Sequence, residues 1–108
     1  MDLHCNPPIH PGEMLREDFM EPLGLTAGRV ARAIGVPRTR IERLAREETA
    51  LTADTAVRLA RYFRMSEGFW LGLQSRYEAD RIHADARRVG EIDAIVPLQR
   101  PDLEEVAA

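Results

Sequence analysis

The sequence predicts an all-α protein: five short helices in one domain, followed by a short C-terminal extension. Three observations lead there. Apolar residues recur at helical spacing in five successive windows over the first 86 residues. Capping residues punctuate those windows, with Thr26, Thr52 and Ser66 at starts and Gly24 and Gly35 at stops. No strand-like alternation of apolar and polar residues occurs before Gly90. A chain of 108 residues supports one hydrophobic core, not two.

Pro11 suits the first turn of a helix, where its missing N–H has no partner to lose, and Leu15 and Phe19 then share one face. This helix should stop near Pro22 or Gly24. Thr26 is positioned to cap a second helix with Val30, Ala31 and Ile34 inward, closed by Gly35. Pro37 opens a third, running to about Arg46. Thr52 caps a fourth, with Asp54 in the first turn where the helix dipole favours an anion, and Ala56, Leu59, Ala60 and Phe63 inward. Ser66 caps a fifth, whose stripe is Phe69, Trp70, Leu73 and Tyr77. From Gly90, taken as a break, Pro97 and Pro101 rule out a long helix, leaving a short strand, an arm or a frayed end.

Composition excludes several classes. With 44% hydrophobic and 31% charged residues the chain is globular, not disordered. No apolar run approaches the roughly 20 residues of a membrane span. The N-terminus lacks the basic-then-apolar order of a secretory signal, and the single Cys5 fits a reducing cytosol. The expected location is cytoplasmic.

The formal charge of -3 conceals segregation. Residues 1–25 are net -4, residues 26–65 net +5 and residues 66–108 net -4, and every basic residue is Arg. On a helix at about 100° per residue, Arg38, Thr39, Glu42, Arg43 and Arg46 fall within an arc of roughly 140°, with Arg40 on its flank. Ile41 and Leu44 lie opposite. Only Gly35-Val36 separate this helix from the one before, the tight turn of a helix-turn-helix. In that motif the second helix enters the DNA major groove, where Arg grips guanine O6 and N7. The competing account is a solvated salt-bridge ladder, since Glu42 is four residues from both Arg38 and Arg46.

The stretch HPGEMLREDFMEPLGL, then GVPRTRI, then LTADTAVRLARYFRMSEGFWLGLQSRYEADR resembles the HigA (VapI-type) antitoxins of the phage-repressor-like, or XRE, helix-turn-helix family. The likeness covers about residues 9–82. It implies a five-helix lambda-repressor-like domain over residues 10–86, an N-terminal arm over 1–9, and an extension over 87–108 available to a dimer or toxin contact. It also implies a homodimer on double-stranded operator DNA, repression of its own operon, nucleoid association, and neutralisation of a HigB toxin, usually a RelE-like mRNA endoribonuclease. By position, Arg38, Thr39 and Arg43 match the family's base-reading residues. Arg40 and Arg46 are assigned to phosphates on charge and direction.

Two positions depart from the family pattern. The Gln that usually begins the second helix and anchors a phosphate is Ala27 here. The loop after the recognition helix, usually Asn/Gly with a basic residue, reads Arg46-Glu47-Glu48-Thr49. Either Arg40 and Arg46 compensate, or affinity for DNA is lower than typical. The alternatives are a stand-alone XRE regulator without a toxin, or a protein-binding module with weak DNA affinity.

His4, Cys5, His10 and His83 form no paired ligand set, so neither metal nor cofactor is expected, and His10 is placed at the start of helix one. Phe69-Trp70-Leu71 reads as core or dimer interface. Nothing resembles a phosphate loop or a nucleophile elbow, and no catalytic role is assigned. The acidic flanks are either solvated surface or a surface complementary to a basic toxin, with the tail (Glu91, Asp93, Asp102, Glu104, Glu105) and the N-terminal segment both candidates.

Overall fold

The computed structural model describes residues 5–99, and among these it contains helices and no strands. Helix α1 runs without interruption from Pro11 to Leu23. It begins as α-helix (Pro11–Met14), widens to a π-helical stretch (Leu15–Met20) and ends in an α turn (Glu21–Leu23). The wide turns lie just before Pro22, which has no N–H for the carbonyl of residue 18 and crowds it. The chain continues as α2 (Ala27–Ile34), α3 (Arg38–Ala45), α4 (Ala53–Phe63), α5 (Glu67–His83) and α6 (Ala86–Asp93).

The expected caps are in place. Thr26, Thr52 and Ser66 each accept a backbone N–H three residues on, at 3.1, 3.3 and 3.1 Å. Each such cap contributes about 1 kcal/mol. His10 caps α1 through Nδ1, which accepts the Gly12 N–H at 2.9 Å. Gly24 (φ 64) and Gly35 (φ 73) end α1 and α2 in the left-handed region that glycine enters without steric cost.

The helices pack as two main pairs, α2 with α3 and α4 with α5, and α1 contacts both α3 and α5. One core results. Leu15, Val30, Ile41, Leu59 and Trp70 are fully buried, each burial contributing about 1.5–3 kcal/mol. Trp70 is ringed by Phe19, Phe63 and Phe69 with centroids 5.0, 6.0 and 5.3 Å away, so Phe69 and Trp70 of the FWL motif join the core while Leu71 is exposed.

The five helices expected over the first 86 residues are all present, and the extension adds one more. A sixth, α6, straddles the expected domain boundary at residue 86 and passes through Gly90, which was read as a break. Glycine in a helix interior costs only about 1 kcal/mol. Here Asp85 offsets that cost by accepting the N–H groups of Arg87 and Arg88 at 3.0 and 3.3 Å. Beyond α6 the chain to residue 99 is neither helix nor strand, and Ile95, Val96 and Leu98 are exposed. Pro101 and the tail acids Asp102, Glu104 and Glu105 lie outside the described residues.

Candidate nucleic-acid interface

Helix α3 is held from below by α1. A Cβ on Gly12 would sit 1.8 Å from the Leu44 carbonyl oxygen, so the backbones of α1 and α3 meet at a distance only glycine permits. His10 and Pro11 flank this contact and are buried. The HPGE motif is thereby explained as a cap, a first-turn proline and a point of backbone approach. Arg16, one turn on, donates from Nη1 to the Ala45 carbonyl and from Nη2 to Glu47 (3.2 Å) and Glu17 (2.8 Å). These carboxylates, Glu17 foremost, hold Arg16 more firmly in its charged form.

Glu47 adopts φ 64. Around it the Glu48 N–H donates to Arg43 O and the Glu47 N–H to Leu44 O, both at 2.9 Å, the paired bonds that close a helix C-terminus. The residue usually Asn or Gly in this loop is therefore needed for its left-handed backbone, which Glu47 supplies under strain. Its carboxylate turns back to Arg16.

At its other end α3 is tied to α2 and α4. Arg58 of α4 donates from Nη1 to Ile34 O at 2.8 Å, satisfying the C-terminus of α2, and from Nε to Asp54. Asp54 also receives Arg40 Nη1 at 2.9 Å. The Arg58 hydrogen bond, reinforced by Arg40, keeps the Asp54 carboxyl below its ordinary pKa.

The outward face of α3 matches the helical projection. Ile41 and Leu44 are buried, whereas Arg38, Thr39, Arg40, Arg43 and Arg46 are exposed. The structure nevertheless divides this set. Arg38 turns towards α2, with Nε on Glu42 at 3.2 Å. Thr39, Arg40 and Arg43 line a groove that α3 forms with Thr49, Thr52 and Asp54. Arg43 reaches within 4.0 Å of Glu48, and Arg46 has no ion pair among the described residues. Each of Arg38, Arg40 and Arg43 thus faces a carboxylate that a nucleic acid must displace or share. These pairs are exposed and hold each arginine by no more than about 1 kcal/mol.

Two cations escaped the projection of α3 because they belong to α2. Arg29 and Arg32 are exposed, three residues apart, and share a cleft with Arg38 and Glu42. The signal was present in the net charge of residues 26–65. What was missing was the knowledge that α2 and α3 turn these side chains towards each other.

The remaining candidates do not converge. His10 is occupied by its cap and stacks edge-on against Tyr77 at 4.8 Å, and burial pushes its pKa below the ordinary value. No group of three metal-ligating side chains occurs among the described residues, and His4 lies outside them. No helix among the described residues is long and apolar enough to cross a membrane.

Comparison with known proteins places this geometry. A helix-turn-helix family model matches residues 17–70. Virulence-associated protein I of Dichelobacter nodosus is 42% identical over 92 residues, which are 85% of this chain and 82% of that protein. The solved Pseudomonas aeruginosa antitoxin HigA with the higBA promoter superposes with TM-score 0.73 at 38% identity, covering 84% of this chain and 98% of that one. Antitoxin GraA in complex with its operator gives TM-score 0.80 at 31% identity, covering 93% and 99%. Such relatives are DNA-binding antitoxins and regulators rather than enzymes. From the helix-turn-helix geometry and these matches together, the chain belongs to the XRE-type helix-turn-helix family, in the group that holds the HigA antitoxins.

Proposed function

We propose that this protein is a HigA-type antitoxin that acts in the cytoplasm, binding operator DNA as a homodimer to repress its own operon and neutralising a HigB-type toxin. The observation that carries the DNA reading is the exposed face of α3, with Arg38 and Thr39 at its start and Arg43 one turn on. Relatives of the same fold are seen with a promoter and an operator. A two-fold dimer would set two copies of α3 in successive major grooves about 34–36 Å apart.

In this assignment Arg38 and Arg43 donate to guanine O6 and N7, and Thr39 meets a base edge or a thymine methyl. Arg40 and Arg46 hold backbone phosphates. Arg40 would exchange Asp54 for phosphate, and since that ion pair is exposed the exchange costs little. Toxin neutralisation is inferred from the antitoxin relatives. The surface that supports it is the apolar stretch that ends α6 and follows it, where Ile92, Ile95 and Val96 are exposed beside Asp93 and the Arg87–Glu91 ion pair.

Fluorescence anisotropy with the duplex upstream of the gene and a scrambled duplex tests the DNA role. Arg38→Ala and Arg43→Ala should each lose about 1–3 kcal/mol of discrimination between the two, a factor of roughly 5 to 150. Variants as selective as the wild type would show that α3 does not read bases. Co-purification of a small basic protein with the tagged chain, lost on truncation after Glu91, tests the toxin role. DNA binding without such a partner would leave a stand-alone regulator.

A further inference from the structure

We propose that Arg29 and Arg32 of α2 form a clamp for a DNA backbone phosphate beside α3, replacing the polar anchor missing at Ala27. This rests on the DNA-binding reading above and adds two contacts to it.

The cleft between α2 and α3 gathers three guanidinium groups, from Arg29, Arg32 and Arg38, around one carboxylate, Glu42. Positive charge therefore exceeds negative there. Elsewhere on the candidate surface the balance is closer, because Arg40 and Arg43 each face a carboxylate, at 2.9 and 4.0 Å. Arg29 and Arg32 have no ion pair among the described residues, and both side chains are exposed. Their donors are free for an anion without first releasing a protein partner.

The backbone favours the same conclusion. The Cβ position of Gly28 lies in ordinary contact distance of Arg38 Cδ, 3.6 Å, so the stem of Arg38 lies against α2. Its guanidinium is then anchored by Glu42, which spends the one carboxylate of the cleft on Arg38 and leaves Arg29 and Arg32 uncompensated. In a helix-turn-helix complex the first helix crosses the phosphate backbone while the second enters the groove. A phosphodiester, with one negative charge and two acceptor oxygens, fits a pair of guanidinium groups. Ala27 brings no polar side chain to this end of α2, and the two arginines follow it two and five positions later.

The competing account is that both arginines are merely solvated. Salt dependence separates the two, since each phosphate contact contributes about 0.9 to the slope of log affinity against log salt. The dimer carries the clamp twice, one phosphate each time, so Arg29→Ala/Arg32→Ala should flatten the slope by about 2. Its affinity deficit relative to wild type should then be on the order of 10-fold larger at 50 mM than at 200 mM salt. Selectivity between operator and scrambled duplex should be retained, and Arg29→Lys/Arg32→Lys should keep most of the slope because a point charge suffices.

The charge-matched control is Arg61→Ala/Arg64→Gly at the far end of α4, where glycine suits the left-handed backbone of Arg64 (φ 57). It should leave the slope close to wild type. A wild-type slope in Arg29→Ala/Arg32→Ala, or an equal loss in the control, overturns the clamp while leaving operator binding intact. Wild-type protein that binds neither duplex overturns the DNA reading and the clamp together.

Discussion

Replacing Gly12 by alanine asks whether α1 truly sets the position of the recognition helix. The added Cβ would lie 1.8 Å from Leu44 O and 2.9 Å from Leu44 C, against ordinary contacts beyond about 3.4 Å. Both obstructing atoms are backbone within α3, so no rotamer change relieves the clash. Either α1 retreats by more than an ångström or the last turn of α3 deforms. Overpacking a well-filled core costs about 1–3 kcal/mol. A backbone obstruction belongs at the upper end, so about 3 kcal/mol is expected. Small domains have only about 5–15 kcal/mol in hand, and for one of this size such a loss lowers Tm by about 12–24 °C. Urea titration and thermal melts followed by circular dichroism measure it. Gly72→Ala is the companion variant: Gly72 lies inside α5 with nothing within 4 Å of its Cβ position, and alanine there should stabilise by about 0.5–1 kcal/mol. If Gly12→Ala came within 0.5 kcal/mol of wild type, the close approach of α1 to α3 would be wrong.

Two further predictions concern the same junction. Glu47→Gly relieves a left-handed residue at about 1–2 kcal/mol and forfeits a partly exposed pair with Arg16 of at most about 1 kcal/mol, so it should raise the urea midpoint; a lower midpoint would mean that the Arg16 pair outweighs the strain. His10 is held below its ordinary pKa of 6.5 first by burial and then by Arg16 and Arg81, with Glu47 and a hydrogen bond to the Thr49 backbone opposing. Its folded-state value lies below its unfolded one, so its contribution to stability is complete above about pH 6.5 and is lost as pH falls through the lowered value. His10→Asn, which keeps a capping acceptor without titrating there, should flatten stability against pH between about 5 and 7; an unchanged profile would assign that dependence to other groups.

Much of this was legible locally. Thr26, Thr52 and Ser66 cap because a hydroxyl three residues from an orphan N–H is a local relation. The inward faces of α2, α3 and α4 followed from a period of 3.6. Gly90 was misread for the converse reason: a glycine is a weak stop when a cap such as Asp85 and an adequate run of helix formers surround it. The direction of the α3 arginines was also legible, as was Glu42 beside Arg38, but the more distant partners were not. Glu42 on Arg38 is an i,i+4 relation, whereas Asp54 on Arg40 and Glu47 on Arg16 span 14 and 31 residues.

The amino-acid order by itself thus determined where helices start, which faces they bury and that one face of residues 38–46 is cationic, because these depend on neighbours within a turn or two. Only the tertiary structure decided which carboxylates neutralise which arginines, why Gly12 must lack a side chain, and that Arg29 and Arg32 stand beside α3. Those are contacts between segments distant in sequence, and their energies depend on distances that no periodicity encodes.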